Sequence, residues 1–569
     1  MATSYGFNRQ RPRTEVFLDA SSLSSANVLS EKPLVLIGSA KGGQPHVPIE
    51  LTNFAQARDT FRGGELLDAI EMAWSPSTNV SGAGKIYAIR TDEATQASLT
   101  VQGLTITSRL YGVDANGIQV ELSDNTLTDS KTLSVYFTQE SYSQVYDNIG
   151  NIFTVQYTGD ENYASVEVTV DPTTHLATQL ILKVGTDQAT ATAVRTYQLG
   201  NGLYNDVNVL VNDIDNLPDF TAAMNPLGGN KGVTTDQLDP LAETECKTAA
   251  VTVKAIGADL INQTASDEYI QISVDRSQPL PDTIPLTNLS GAETGAPPAS
   301  WADLFSLVSD LGAYYIVPLT EDPAIHGELG QYLRDESNNG NHMRAFVGGG
   351  FNESVEQLKA RQMNIRNARV SVVGNSFTRR MSDGRIYNAP GYMLAALIGG
   401  IASGLEVGEP LTYKHVTIDG LDRKFTGDQL DQLDAAGVIM VEFVRTRTDS
   451  YFRIVSDPTT YNVASEPVQN RVSLGETSDF LTTELRTILD EEFIGTKIRN
   501  TSASILKNRV ESFLDRQKDV GGLIVDYNPD DVQVVISGNT ARINITVQPS
   551  QGLDYINVYI TYKDNQLTA

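Results

Sequence analysis

The stretch that decides the fold is Pro33-Leu-Val-Leu-Ile-Gly-Ser-Ala-Lys-Gly-Gly43, in which four consecutive apolar residues lead into a glycine-rich turn. An unbroken apolar run of this length predicts a strand that is buried on both faces. Helical patterns follow at Phe54 to Phe61 and at Gly64 to Trp74, and a second strand is predicted at Gly84 to Arg90. Strand, helices and strand in this order predict an α/β core with parallel pairing.

The same mixture of strands and helices returns in the second half of the chain. The segments concerned are the predicted strands Ile270 to Val274, Tyr314 to Val317, Arg344 to Val347 and Arg369 to Val373, and the predicted helices Trp301 to Leu311 and Ser354 to Asn367. We expect these segments to complete the sheet of the α/β core.

The composition changes between these two parts, where Thr, Val, Ile and Tyr dominate. Alternating stretches occur at Leu99 to Thr107, Gly117 to Leu122, Lys131 to Phe137, Ile152 to Tyr157, Ala164 to Val170 and Ala193 to Gln198. A period of two residues, interrupted by turn residues, is typical of half-buried strands. The pattern predicts a β-sandwich or barrel that is inserted into the core.

A further α+β unit is predicted near the C-terminus. Two helical patterns, Ser478 to Ile494 and Thr501 to Val520, each place their leucines and other apolar residues on one face. A hairpin is predicted at Val532 to Ile536 and Ala541 to Val547.

The sequence therefore predicts an α/β core with an inserted all-β domain, an α+β C-terminal domain and extended terminal arms. The predicted boundaries are an N-terminal arm and linker at 1–26, a first core part at 27–98, the insert at 99–246, a second core part at 247–405, the C-terminal domain at 406–550 and an arm strand at 551–569.

Both ends of the chain carry a short strand pattern next to a flexible linker. Thr14 to Leu18 precedes a serine-rich linker, and Tyr555 to Tyr562 alternates strictly after Pro549 to Gly552. Because a strand needs a partner, we predict that these arms complete sheets of neighbouring subunits. The alternative is that Tyr555 to Tyr562 folds back onto its own subunit. The residues expected in the arm contacts are Glu15, Val16, Phe17, Leu18, Tyr555, Ile556, Val558, Tyr559, Ile560 and Tyr562.

The chain of 569 residues is strongly acidic, with 70 Asp and Glu against 42 Lys and Arg and a net charge of −28. Because Lys and Arg supply the affinity for nucleic acid and for anionic membranes, neither is an expected partner. No signal peptide is recognisable, and the least polar stretch, Gly391 to Leu405, is too short to span a bilayer. We expect a soluble protein that is made in the cytoplasm.

No residue pattern indicates a catalytic site, a cofactor or a metal centre. The single cysteine, Cys246, excludes an intrachain disulfide and a Cys-rich zinc site. The histidines lack metal-ligand spacing and are interpreted as structural; they are His46, His175, His326, His342 and His415.

Two glycine-rich segments are candidates for anion binding. Gly38 to Gly43 lacks the Lys-Ser or Lys-Thr ending of a phosphate loop, so we interpret it as a tight turn. Gly348 to Glu353 precedes a helix and is the better candidate, because helix N-termini attract negative charge. The alternative that we prefer is a turn in which Asn352 caps the helix.

A basic stripe follows the second glycine segment. It contains Lys359, Arg361, Arg366, Arg369, Arg379, Arg380 and Arg385. On a chain of this charge, we expect these residues to pair with an acidic face of the same chain or of a neighbour. Binding to RNA or DNA is the alternative, and no interleaved aromatic residues favour it.

Several motifs, in this order along the chain, resemble those of contractile phage tail sheath proteins. They are Pro33 to Pro45, Leu51-Thr-Asn53, Phe61 to Leu66, Ile86 to Arg90, Gly112-Val-Asp-Ala-Asn-Gly-Ile-Gln-Val120, Asn388 to Gly400, and Phe480 to Ile494 followed by Ile505 to Tyr527. The Trp-Gly-Arg-Thr element of many family members is absent, and Phe443-Val-Arg-Thr-Arg447 stands partly in its place.

The resemblance implies a structural protein that polymerises with itself as stacked hexameric rings around a tail tube protein. Contraction would drive the tube through the host envelope for genome delivery. Baseplate and tail terminator proteins are the other implied partners. The implied location is the virion tail, with assembly in the host cytoplasm.

Two other functions remain open at this point. The family's core is sometimes described as subtilisin-like, so a catalytically inactive or weak hydrolase relative is one alternative. No Gly-Thr-Ser precedes Ala389-Pro390, and no histidine lies in a matching motif, so we expect no enzymatic activity. The other alternative is a β-rich surface or capsid binding protein.

Overall fold

The computed structural model describes residues 31–227, 231–463, 466–495, 502–519 and 522–552. The chain forms two compact units. One is the continuous segment Glu93–Ala296, and the other combines the segments that precede and follow it.

A seven-stranded sheet forms the centre of the larger unit. Its strands, in order across the sheet, are Ile49–Leu51, Ile86–Arg90, Leu34–Gly38, Tyr315–Pro318, Arg344–Gly348, Val370–Val373 and Val438–Ile439. The first strand is antiparallel to its neighbour, and the other neighbouring pairs are parallel. The unbroken apolar runs of the sequence are buried along the whole strand, as in Leu34–Gly38.

Helices cover both faces of this sheet. One face packs against the helices Phe54–Phe61, Glu65–Trp74 and Gly391–Gly404. The other face packs against the helices Ala302–Ser306, Pro323–Asn339, Val355–Ile365 and Gly427–Ala435. The result is a three-layer arrangement in which each face of the sheet lies against a separate apolar layer.

Small residues allow one helix to approach its neighbours closely. Gly400, in the Gly391–Gly404 helix, lies against the Glu65–Trp74 helix, and a Cβ at this position would be 2.3 Å from the carbonyl oxygen of Ala73. Since real Cβ atoms do not approach an oxygen this closely, the contact requires glycine. None of the helices in the described ranges has the length and apolar character needed to cross a bilayer.

Two three-stranded sheets flank the core. One contains Ile386–Ala389, Phe377–Arg380 and Gly420–Leu421, and the other contains His415–Val416, Ser450–Ile454 and Val441–Arg445.

The C-terminal part of this unit has its own apolar cluster. The helix Pro467–Asn470 precedes Val472–Phe493 and Ser502–Asp519, which pack on the strands Ile524–Tyr527, Gln533–Ser537, Thr540–Asn544 and Val547–Pro549. The first of the two predicted long helices begins six residues earlier than expected, at Val472. Its predicted apolar face, Leu481, Leu485 and Leu489, is buried in this cluster.

The unit Glu93–Ala296 contains two apolar clusters, each covered by β-sheets. The sheets of one cluster contain the strands Gln96–Val101, Leu104–Tyr111, Ile118–Asn125, Ser130–Phe137, Tyr142–Ile149, Ile270–Val274 and Ile284–Asn288. Those of the other contain Asn151–Tyr157, Tyr163–Val170, Ala177–Gly185, Thr192–Gln198, Phe220–Met224, Leu241–Glu245 and Val251–Lys254. The helices Val207–Asp215 and Ile256–Gln263 also belong to this unit, so it is not purely β.

The assignment of Ile270 to Val274 to the core sheet was wrong. This strand pairs antiparallel with Leu104–Tyr111, and Val251–Lys254 and Ile284–Asn288 likewise pair with strands inside the unit Glu93–Ala296. The unit is therefore longer at both ends than the predicted 99–246. Without these three strands, their partners within the unit would have unpaired backbone hydrogen-bonding groups along one edge.

The unit Glu93–Ala296 also carries most of the net negative charge. It contains 26 acidic and 8 basic side chains, and 8 − 26 gives −18 of the total −28. The larger unit is therefore much closer to neutral for its size.

A pair of glycine substitutions tests the close helix contact. We expect Gly400→Ala to lower the free energy of unfolding by about 1–3 kcal/mol, because the new methyl group overlaps Ala73. Gly327→Ala is the matched control, since a Cβ added at this position in the Pro323–Asn339 helix would have no other atom within 4 Å. It should raise the same free energy by about 0.5–1 kcal/mol. Urea unfolding of the purified monomer measures both, and equal effects would contradict the packing argument.

Candidate functional site

The glycine-rich turn at Gly38 to Gly43 has three of its amide groups bonded within the chain. Ala40 N donates to Asp92 Oδ2 at 3.0 Å, Lys41 N donates to Gly63 O, and Gly42 N donates to Phe61 O. A phosphate loop needs free amides that point at the ligand. Here the Asp92 carboxylate occupies one of them, and its charge would repel a phosphate.

The second candidate, Gly348 to Glu353, is also filled by its own acidic residue. Gly350 N donates to Glu353 Oε1 at 3.2 Å, and the same carboxylate pairs with Arg361. The prediction that Asn352 caps the following helix was wrong. Ser354 is the cap, because its side chain accepts from Gln357 N and Gln357 completes a capping box.

A serine, a histidine and an aspartate do come together, but not as a catalytic triad. Ser337 Oγ lies 3.1 Å from His342 Nδ1, Arg369 Nη2 lies 3.1 Å from the same nitrogen, and Asp479 Oδ1 lies 3.8 Å from it. In a triad the serine and the aspartate contact opposite ring nitrogens. Burial also lowers the pKa of His342 to about 4, so the ring is neutral at physiological pH.

The remaining sequence predictions concern the cysteine, a metal centre and the terminal arms. Burial raises the pKa of the Cys246 thiol to about 11. Within the described ranges, no group of three or more His, Cys, Asp or Glu side chains could hold a metal ion. The predicted arm residues, Glu15 to Leu18 and Tyr555 to Tyr562, lie outside the described residues.

Three of the seven residues of the basic stripe pair with the chain's own acidic groups. Arg361 pairs with Glu353, Arg385 pairs with Asp68, and Arg369 pairs with Asp479. The last of these pairs belongs to a larger buried contact.

This contact lies at the amino ends of four adjacent strands of the central sheet. Lys32 precedes the first strand, Tyr315 and Arg344 begin the next two, and Arg369 precedes the fourth. All four side chains reach the helix Val472–Phe493. Because residues three positions apart share a helix face, Glu476 and Asp479 on this helix meet them together. We call these six residues, four from the sheet and two from the helix, the sheet–helix joint.

Asp479 binds two arginines at once. Arg344 Nε lies 2.8 Å from Oδ2, Arg369 Nη2 lies 2.8 Å from Oδ1, and the Tyr314 hydroxyl donates to Oδ2 at 2.9 Å. Burial opposes ionisation of Asp479, which is 4% exposed, but the two arginines outweigh it and hold its pKa well below the usual range. The carboxylate is therefore charged throughout the physiological range.

Glu476 forms the other half of the sheet–helix joint. Lys32 Nζ lies 3.1 Å from Oε1, Gly408 N donates to Oε2 at 2.9 Å, and the Tyr315 hydroxyl also donates to this carboxylate. Burial raises the pKa of Glu476 against the attraction of Lys32. The sheet–helix joint thus fixes the helix to four strands through directional bonds rather than through apolar packing alone.

Sequence reasoning did not single out Glu476 or Asp479. The sequence does contain an indication of their cationic partners. Lys32, Arg344 and Arg369 each lie at or just before the start of a buried strand. Buried cations need carboxylate partners, but the sequence does not say which of 70 acidic residues supplies them.

The sheet–helix joint can be tested by removing one charge. We expect Asp479→Asn to lower the free energy of unfolding by about 3–5 kcal/mol at pH 7, because two buried arginines lose their counter-ion. The contribution of Asp479 is fully present above its unfolded pKa near 4 and decreases as the pH falls from there toward its lower folded value. The difference between wild type and variant should therefore shrink in acid.

Glu492→Gln serves as the control for this variant. It removes a surface pair in which Glu492 lies 2.8 Å from Arg509 Nε, and it should lower the free energy of unfolding far less than Asp479→Asn does, because solvent screens an exposed pair. Urea unfolding at several pH values measures both variants, and equal losses would contradict a special role of the buried pair.

Comparison with known proteins identifies relatives over almost the whole chain. A provisionally named tail sheath protein of Enterococcus phage phiEF24C is 47% identical over 560 residues, which is 98% of both chains. The tail sheath protein of Staphylococcus phage Twort is 40% identical over 584 residues, again 98% of both chains. No family model matches the chain.

Two solved structures share the fold. The sheath tail protein from Desulfitobacterium hafniense matches with a TM-score of 0.54 at 14% identity, covering 94% of this chain and 97% of the other. The sheath tail protein from Listeria innocua matches with a TM-score of 0.55 at 12% identity, covering 93% and 94%. At these identities the likeness concerns the fold alone.

None of these matches supports the hydrolase or the surface-binding alternative. The relatives with high identity cover the chain from end to end, so the assignment does not depend on one shared domain. The chain therefore belongs to the tail sheath proteins of contractile phage tails, and it is a structural subunit of the virion tail.

Proposed function

We propose that the protein polymerises as stacked hexameric rings around a tail tube protein and that contraction of this polymer drives the tube through the host envelope. The observation that carries the proposal is the 47% identity to a phage tail sheath protein over 98% of the chain. Baseplate and tail terminator proteins are the further proposed partners. Assembly takes place in the host cytoplasm before the virion is released.

The energy for contraction is stored in the assembled lattice, and no enzymatic step supplies it. Both glycine-rich turns bind their own carboxylates, at Asp92 and at Glu353, where a nucleotide phosphate would have to lie. A lattice held in a kinetically trapped state releases free energy when its subunits repack as rigid bodies.

The core of the subunit is built to move as one body. The sheet–helix joint connects four strands to the Val472–Phe493 helix, and the Gly400 contact leaves no space between two other helices. Buried directional pairs and close packing resist small deformations. Movement during contraction is therefore not expected within this part of the larger unit.

The two arms, 1–26 and 551–569, connect neighbouring subunits by adding strands to their sheets. In support of this, the C-terminal part contains small two-stranded sheets, such as Ile524–Tyr527 with Val547–Pro549, whose outer edges have no strand partner among the described residues. Each backbone hydrogen bond gained contributes about 1 kcal/mol, and each buried aliphatic side chain contributes about 1.5–3 kcal/mol. Two arms per subunit act together at high effective concentration.

Assembly of the purified protein tests the proposed function. We expect tubes or stacked six-fold rings by negative-stain electron microscopy in nucleotide-free buffer, because the lattice contacts alone supply the free energy. Added ATP should change neither the amount of tube nor its contraction. Protein that stays monomeric at high concentration, or tubes that hydrolyse ATP in order to contract, would contradict the proposal.

Deletion of the C-terminal arm tests the connection between subunits. A chain that ends at Gln551 should remain a folded monomer with near-normal thermal stability, because the arm pairs with a neighbour. It should fail to form tubes under conditions in which the full chain assembles. An aggregated or strongly destabilised monomer would instead show that Tyr555 to Tyr562 folds back onto its own subunit.

A further inference from the structure

An exposed aromatic ring with a lysine beside it, and with two arginines shortly after it in the chain, lies on one hairpin of the larger unit. The hairpin consists of Val441–Arg445 and Ser450–Ile454, and Phe443 on its first strand is 43% exposed. Lys424 Nζ lies 5.8 Å from the centre of this ring. Arg445 and Arg447 follow on the same hairpin and are exposed. We call Phe443, Lys424, Arg445 and Arg447 the hairpin patch.

The three cations of the hairpin patch differ from most of the others in the chain. Many other surface cations have carboxylate partners, as in the pairs Lys518–Asp526 and Arg509–Glu492. Lys424, Arg445 and Arg447 form no ion pair with any described residue. In a chain in which acidic side chains outnumber basic ones by 70 to 42, three neighbouring cations without a carboxylate are unexpected.

The geometry of the hairpin holds Phe443 in a fixed position. Phe443 is opposite Phe452 in the strand register, and the two ring centres are 5.1 Å apart. The strand Val441–Arg445 is at the edge of its sheet and pairs on one side with Ser450–Ile454. Aromatic residues and arginine are the residue types that contribute most to the binding energy of protein interfaces. Phe443, which packs on Phe452, and the nearby arginines are of these types.

We propose that the hairpin patch docks on an acidic surface of a second copy of this chain. The proposal rests on the self-assembly set out under the proposed function. Each copy carries a net charge of −28, so association of copies is opposed by like charge unless cations are placed at the contact. The hairpin patch supplies three unpaired cations at one place, and Phe443 supplies an apolar anchor beside them.

Paired substitutions test this contact. The variant R445Q/R447Q removes two charges of the hairpin patch, and R58Q/R334Q removes two exposed charges elsewhere as a matched control. We expect the critical concentration for tube formation to rise about tenfold in R445Q/R447Q at low NaCl and to stay at the wild-type value in the control. High NaCl should abolish this difference, because exposed charge pairs are screened.

Phe443→Ala separates the apolar part from the charged part. It should raise the critical concentration at both low and high NaCl, because salt does not screen an apolar contact. Sedimentation of tubes gives the critical concentrations, and the thermal midpoint of each unassembled variant shows that it is folded. Lys424→Gln provides a second, single-charge variant with the same expected direction.

The outcomes separate this inference from the proposed function. Wild-type protein that forms no tubes contradicts the proposed function itself. Tubes from wild type with equal critical concentrations for R445Q/R447Q and R58Q/R334Q overturn the inference alone. It is also overturned if R445Q/R447Q assembles normally but no longer binds the tail tube, because the partner of the hairpin patch would then be the tube protein.

Discussion

Two carboxylates, three residues apart on the Val472–Phe493 helix, hold together the two ends of the larger unit. Glu476 pairs with Lys32, which lies 444 positions earlier, and Asp479 pairs with Arg344 and Arg369. Without them the three cations at the amino ends of these strands would be buried without counter-ions, which is far more costly than a lost surface pair. The seven-stranded sheet therefore depends on a helix that the chain supplies only after the last of these strands.

Local patterns in the sequence were sufficient for much of the fold. An unbroken apolar run predicts a buried strand, as found at Leu34–Gly38. Leucines spaced four residues apart predict an amphipathic helix, as found at Leu481, Leu485 and Leu489. The contacts of the sheet–helix joint could not be predicted, because nothing local to Lys32 identifies Glu476. The error at Ile270–Val274 was avoidable. Its sequence, Ile-Gln-Ile-Ser-Val, alternates apolar and polar residues, as in half-solvated antiparallel strands, and its burial alternates accordingly.

The polar groups of the candidate site connect elements of the fold. Turns that resemble ligand loops bind Asp92 and Glu353 instead, and the histidine near Asp479 is held neutral by burial. The carboxylates of Asp92, Glu353 and Asp479 each bond to groups of the same subunit. The net charge is also distributed unevenly between the two units. Glu93–Ala296 carries −18 of the total −28, so the larger unit is closer to neutral. A near-neutral surface opposes the association of identical copies less than a strongly charged one.

The long sequence separation across the sheet–helix joint also determines the order in which the two units can fold during synthesis. At about 5–20 residues per second, the ribosome needs about 20–90 s to make the residues between Lys32 and Glu476. The unit Glu93–Ala296 is synthesised well before that time. It can therefore fold before the Val472–Phe493 helix is available to the first strands of the central sheet. The larger unit closes only when nearly the whole chain has emerged. A truncated nascent chain therefore lacks the closed core, and each subunit becomes competent for the lattice at the end of its own translation.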